Sequence, residues 1–252
     1  MRFIHKSKTA STNLDAHALA KAGDLGPLWV RADVQSAGKG RMGRQWVSKS
    51  GNLYASGLFP IDDTPLALVA QLSFAASLAI SDTVAVYAPD ADITLKWPND
   101  VLVGGAKISG ILLETGQSPS GGYVIVGIGL NVEHHPDTTL YPATHLLAHM
   151  SADALSSHEP LYTGLEAVLA TLSARFEVWR GRHAKDGFAP LREAWLSRAH
   201  GIGQVATIDG KPVIIKGLGE NGELQVSRDN GTIDEIFAGD VFFAQSEIKQ
   251  KG

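Results

Sequence analysis

Apolar residues change their spacing several times along this chain, and each change marks a new element. Residues 12–22, TNLDAHALAKA, carry a helical pattern, with Ser11 or Thr12 placed to cap its free amides and Gly23 to end it. WVRADV (29–34) and NLYASGLF (52–59) read as strands on either side of a glycine-rich segment. The uncharged run 64–81, TPLALVAQLSFAASLAIS, is long enough to raise a membrane span, but Pro65, Gln71 and three serines favour a buried helix over 66–81. Four strand-like runs follow: ITLKW (93–97), VLV (101–103), ISGILLET (108–115) and GYVIVGIGLNV (122–132). Their short links predict antiparallel hairpins rather than parallel crossovers. Segment 133–145 has two prolines and no period and reads as a loop. Helices are predicted over 165–183 and 190–198.

After Gly201-Ile202-Gly203 the texture changes to short alternating strands separated by Gly, Asn and Asp turns. A small β-barrel of about 50 residues is the expected result. The chain therefore divides into residues 1–199 and 200–252, an α+β domain followed by the barrel.

Composition narrows the function. With 252 residues, 44% hydrophobic and 19% charged, the chain has material for a sizeable core. It has no cysteine, which removes disulfides, thiolate nucleophiles and cysteine-ligated metals. MRFIHKSKTAS at the N-terminus lacks the apolar core of a signal peptide, so a cytoplasmic protein without membrane anchorage is expected. The net charge of -4 argues against DNA as the main partner. Among nine histidines, His145 and His149 share i,i+4 spacing, but no third ligand accompanies them and no metal site is expected.

Against that acidity, QSAGKGRMGRQW (35–46) alternates three glycines with three cations. It formally fits G-x-G-x-x-G, but RQWVSKSGNLY follows where the dinucleotide fingerprint needs a helix. No Walker A loop is present. Taken alone, the stretch reads as a backbone that holds an anion or, the lesser of the two readings, as a solvated basic loop. A second cluster, K-W-P-N-D (96–100) with Lys107 eleven residues after Lys96, sets lysines among apolar strands, where each needs an anion or a carboxylate partner. Taken singly, Lys107 also reads as a strand-edge lysine, Asp100 as a turn residue, Trp46 as core and Asn131 as a strand terminator.

In order along the chain stand Ser11-Thr12-Asn13, Q-x-A-G-K-G-R-x-G-R-x-W, K-W-P-N-D, Lys107, G-I-G-L-N and the barrel. This series resembles the bacterial biotin–protein ligases, or biotin–[acetyl-CoA-carboxylase] ligases, over nearly the whole chain. Only ten residues precede Ser11, so the short form without the N-terminal winged-helix repressor module is expected.

The resemblance implies a mixed, largely antiparallel sheet with packed helices, akin to class II aminoacyl-tRNA synthetases, plus an SH3-like barrel. It implies an enzyme that converts biotin and ATP, with magnesium on the nucleotide, to biotinyl-5'-AMP. The biotin then passes to a lysine of a biotin carboxyl carrier protein. By the same resemblance Ser11, Thr12, Asn13 and Gln35 contact biotin, with Trp46 along its apolar side and Gly110 nearby. Lys39, Gly40 and Arg41 cover the phosphate, while Arg44 and Asn131 face the nucleotide. Lys107 meets the biotin carboxyl and the α-phosphate, and Asp100 faces the acceptor amine. Residue 39 departs from the family, in which arginine is usual, and lysine lacks arginine's bidentate fork. Segment His134–Pro142 is expected to order over the adenine. A homodimer is compatible with all of this. The alternatives are a lipoate or octanoate ligase or transferase on the same scaffold, a non-catalytic biotin or nucleotide sensor, and, most weakly, a DNA-binding repressor.

Overall fold

The computed structural model describes residues 1–61, 64–137, 141–151, 164–228 and 231–243. In chain order the main sheet contains β1 (Arg2–Thr9), β2 (Leu28–Gln35), β3 (Leu53–Pro60), β4 (Ile93–Lys96), β5 (Asp100–Val103), β6 (Ala106–Ser118) and β7 (Gly121–Leu130). They lie side by side as β1-β2-β3-β7-β6-β5-β4. Only the β1–β2 pair is parallel, so the expected α+β fold with a largely antiparallel sheet is the one observed.

Helix α1 (Thr12–Lys21) covers one face, where Ala16 and Ala20 pack on Leu28, Val30, Leu58, Tyr123 and Ile125. The other face carries α2 (Leu66–Ala70), α3 (Leu72–Tyr87), α4 (Leu165–Asp186) and α5 (Ala189–Leu196) over the main core. The central strands are covered on both sides, which is why β3 is buried along seven of its eight residues and alternates weakly. The stretch Leu66–Tyr87 is apolar enough to cross a membrane, with a mean hydropathy of 1.5, yet 72% of its 18-residue apolar window is buried inside the fold. Its longer part, α3, is the central core helix, packed along α4.

Three local expectations need correction. The helix foreseen over 66–81 breaks at Gln71 and then runs on to Tyr87, because Val84 and Tyr87 continue its buried face. Ser11 occupies the N-cap of α1 but makes no side-chain capping bond. Gln35, from β2, supplies it instead: Thr12 N–H donates to Gln35 Oε1 at 2.8 Å. Strand β1 is absent from the sequence pattern because it is an exposed edge, polar at six of its eight positions, whose strand character comes from pairing with β2.

The second sheet is built from β8 (Val205–Ile208), β9 (Lys211–Leu218), β10 (Leu224–Ser227), β11 (Ile233–Ile236) and β12 (Phe242–Phe243), all antiparallel in the order β11-β10-β9-β8-β12. Its apolar face, including Ile208, Ile215 and Phe243, joins the main core without a break. Arg192 of α5 donates to the Leu218 and Gly219 carbonyls, and Trp97 Nε1, just after β4, donates to that of Gly222, so polar bonds tie the barrel side to the main domain as well.

Candidate active site

A cleft of about 380 Å³ opens on the α1 face of the main sheet, a size suited to a small-molecule ligand. Strand β7 explains why it opens there. Val124, Val126, Ile128 and Leu130 point into the helical core, whereas Tyr123 and Ile125 pack under α1. The next two positions on that face are Gly127 and Gly129, so the side chains stop and a groove begins. Trp46 lies across it: a Cβ on Gly129 would come within 2.3 Å of Trp46 Cε2, and one on Gly110, opposite in β6, within 3.1 Å of the same ring. The Trp46 Nε1 donor is buried without a hydrogen-bond partner among the described residues.

One end of the groove is a buried hydrogen-bonding cluster. Thr12 and Asn13 sit at the start of α1, with Ser56 Oγ at 2.7 Å from Thr12 Oγ1 and 2.5 Å from Asn13 Oδ1. Asn13 Nδ2 donates to Glu114, and Gln35 Nε2 donates to Ser48. Ser11 is buried beside them.

The other end is ionic. Lys107 Nζ lies 2.6 Å from Asp100 Oδ1. The pair is ionic rather than an aligned hydrogen bond, which leaves Oδ1 buried without an aligned donor. A β-bulge makes the meeting possible. Val101 pairs with Ser109 but Leu102 pairs with Lys107, so Ile108 is the extra residue and goes into the core. Without it, Lys107 and Gly110 would face opposite sides of the sheet. Lys96 stands directly across from Asp100 in β4. It is 7% exposed, and burial pushes its ammonium pKa down to about 8, with Asp100 resisting the shift and Lys107 adding to it. Its Nζ sits 3.8 Å over the Tyr141 ring.

The glycine-basic loop closes over this end and is more ordered than its composition suggests. Trp46 N–H donates to the Gly38 carbonyl and Gly40 N–H to that of Arg44, with a 3-10 turn at Arg41–Gly43. Gly38 is needed for a close approach, since a Cβ there would sit 2.6 Å from Ser48 and from the Trp46 carbonyl; Gly43 is needed for its φ of 71°. The barrel side holds the loop down. Arg44 donates to Asp240 at 2.9 Å, and Arg41 donates to Asn99 Oδ1 and the Gly239 carbonyl at 3.3 Å each. Burial opposes the Arg44 charge, but the Asp240 bond and field outweigh it and raise its pKa.

Asn131 follows β7, and its Nδ2 donates to the Thr144 carbonyl. With Lys107 N–H bonded to Pro142 and Thr144 N–H bonded to Lys107, this pins segment 142–144 against β6. Of the segment expected to order over a nucleotide, residues 138–140 lie outside the described residues, while Pro136 and Tyr141 line the cleft. His145 pairs with His135 at 2.9 Å and His149 with Thr144, and no group of three metal-ligating side chains occurs among the described residues.

Ser11, Thr12, Asn13, Gln35, Lys39, Gly40, Arg41, Arg44, Trp46, Asp100, Lys107, Gly110 and Asn131, drawn from five separate segments of sequence, all line this one cleft. Sequence reasoning missed Tyr141 and Asp240, which also line it, and Ser56 beneath it. The only signal for Asp240 was a glycine–aspartate turn near the end of the barrel. Lys96 was noticed as a strand lysine but given no role.

Residues 4–131 match the Biotin/lipoate A/B protein ligase family. The chain is 36% identical over 245 residues to a biotin–[acetyl-CoA-carboxylase] ligase of Paracoccus denitrificans, covering 94% of this chain and 98% of that protein. It is 30% identical to the bifunctional ligase/repressor BirA of Bacillus subtilis, covering 94% of this chain and 73% of the other. Among solved structures, the biotin protein ligase of Aquifex aeolicus in complex with biotin and ATP superposes with a TM-score of 0.77 at 26% identity, over 95% of this chain and 97% of that one. The groove, the basic loop and these likenesses run along the same residues, and the chain belongs to the biotin/lipoate A/B protein ligase family.

Proposed function

We propose that this protein joins biotin to ATP, forming biotinyl-5'-AMP and pyrophosphate, and then transfers the biotin to a lysine of a biotin carboxyl carrier protein. The observation that carries the reading is the position of the Lys107–Asp100 pair, between a glycine-floored groove with a polar end and a loop of three cations. The groove takes the apolar tail and the ring of biotin, with Thr12, Asn13 and Gln35 as polar partners and Trp46 as the wall. The basic end takes the phosphate.

In the first step a biotin carboxylate oxygen bonds to the α-phosphorus, and the bond to the β-phosphate oxygen breaks with its electron pair. Two unit anions about 4 Å apart repel by roughly 4 kcal/mol at an effective dielectric near 20. Lys107, Arg41 and Lys39 offset that repulsion with preorganised charge. Magnesium bound to the nucleotide would add to that charge. In the second step the carrier amine attacks the acyl carbon and AMP leaves. A lysine with an ordinary pKa near 10.4 is uncharged in fewer than about one molecule in a thousand at pH 7, so Asp100 orients the amine and takes up its proton.

Reliance on ATP and a carrier supports a cytoplasmic location, and the charge of -4 supports a protein rather than a DNA partner. The test is ATP-dependent transfer of labelled biotin to a biotin carboxyl carrier domain, run beside labelled lipoate and octanoate. Label from biotin alone is expected. Label from lipoate or octanoate in its place would overturn the choice of substrate.

A further inference from the structure

Lys96 has no place in the reaction as described so far, yet it is the least expected cation in the fold. It is 7% exposed, and neither a hydrogen bond nor an ion pair reaches it from any described residue. Asp100, directly across the strand pair, is engaged by Lys107 instead. The ammonium rests on the ring of Tyr141, which satisfies only part of its charge. A buried cation left in this state is costly unless an anion joins it.

Lys96 also lies where two cavities meet. With Asp100, Lys107 and Tyr141 it lines both the cleft already described and a neighbouring cavity of about 540 Å³. That second cavity runs outward from the Lys107–Asp100 pair, between the Gly104-Gly105 turn and the start of the barrel. Two lysines and one aspartate are its charged side chains at neutral pH, which leaves one net positive charge, and His200 stands on its wall. An entry route for an alkylammonium would show the opposite sign.

We propose that Lys96 and this second cavity form the subsite for the β- and γ-phosphates of the nucleotide and the route by which pyrophosphate leaves. The inference rests on the activation step proposed above. When the biotin oxygen bonds to the α-phosphorus, the electron pair of the breaking bond goes to the pyrophosphate, and Lys96 receives that growing charge. Before the anion arrives, Tyr141 and the proximity of Asp100 keep the ammonium tolerable.

The test uses the full chain. Lys96→Met keeps the bulk and removes the charge; Lys96→Arg keeps a charge that does not titrate. Magnesium pyrophosphate binding is measured directly on the protein without biotin, and pyrophosphate inhibition is measured in the transfer assay. Lys96→Met is expected to weaken both by about 10-fold or more, the equivalent of about 1.4 kcal/mol. Single-turnover transfer from supplied biotinyl-5'-AMP should stay within about 3-fold of the parent.

A pH series adds a readout that loss of packing would not move. Lys96 is charged below about 8, so pyrophosphate affinity should fall as pH rises through and beyond that value in the parent. It should fall less in Lys96→Arg. The neighbouring groups, Asp100, Lys107, Tyr141, His200, Arg44 and Asp240, are the same in both proteins, as is the ligand's own titration. Should Lys96→Met fail to fold, this comparison still decides. Unchanged pyrophosphate binding in Lys96→Met, identical pH profiles for parent and arginine variant, or an equal loss in transfer from supplied adenylate would overturn the proposal. Direct pyrophosphate binding is independent of turnover. A parent that binds pyrophosphate but does not activate biotin would therefore refute the proposed activity and not the anion site.

Discussion

Replacing Lys107 by methionine separates chemistry from stability, because the lysine serves both. Lys107 Nζ is 2.6 Å from Asp100 Oδ1, with the two side chains 25% and 11% exposed. Removing one partner of a fully buried pair costs about 3–5 kcal/mol, since the other charge is stranded. Here Lys107 is a quarter exposed and Lys96 stands across from Asp100, so solvent and the second lysine absorb part of the loss. About 1–2 kcal/mol is expected, or about 2–8 °C in Tm for a chain of this size. Adenylate formation loses a preorganised cation at the point of charge development, about 3–4 kcal/mol, or roughly 10²–10³-fold in rate. The assay is biotin-dependent ATP–pyrophosphate exchange beside a thermal melt. The double variant Lys107→Met, Asp100→Asn removes the carboxylate as well but deprives Lys96 of its nearest anion, so it should regain none of the lost rate. If Lys107→Met lowers Tm as expected but exchanges within about 3-fold of the parent, Lys107 only balances Asp100, and the placement of the reacting phosphate is wrong.

Arg41→Gly should release the intermediate early. It removes the bonds to Asn99 and Gly239 that fasten the loop and adds glycine's conformational freedom, about 1.5–3 kcal/mol together. Biotinyl-5'-AMP should then dissociate roughly 10–100-fold faster by rapid filtration and label albumin added as a bystander; parental retention would show that the loop is not a lid. Gly129→Ala places a methyl 2.3 Å from Trp46 Cε2 and displaces the indole from the groove. Biotin Kd in a titration should rise at least about 10-fold while the circular dichroism spectrum is kept, and an unchanged Kd would remove Trp46 from the biotin wall.

What the chain states locally, it states well. The alternation in ITLKW and GYVIVGIGL and the helical spacing of 165–183 reflect which side of each element is buried, and that choice is made residue by residue. The glycine loop and K-W-P-N-D were recognisable because a phosphate cradle needs pliable backbone beside cations, whatever the rest of the fold does. The relations among segments were not legible. Strand β1 exists because β2 offers it a hydrogen-bonding edge, and no apolar period announces it. Lys107 faces Asp100 because one residue, Ile108, bulges out of register, and a one-residue shift carries a side chain to the opposite face of a sheet. Gln35 caps a helix that begins 23 residues earlier, and Asp240 clamps a loop 196 residues before it. The sequence alone determined the elements, their buried faces and the chemical types gathered for binding and catalysis. Only the tertiary structure decided which charges are paired, which lysine is left buried with no ion pair among the described residues, and where the groove opens, because register and packing set those distances and neither is encoded within a single segment.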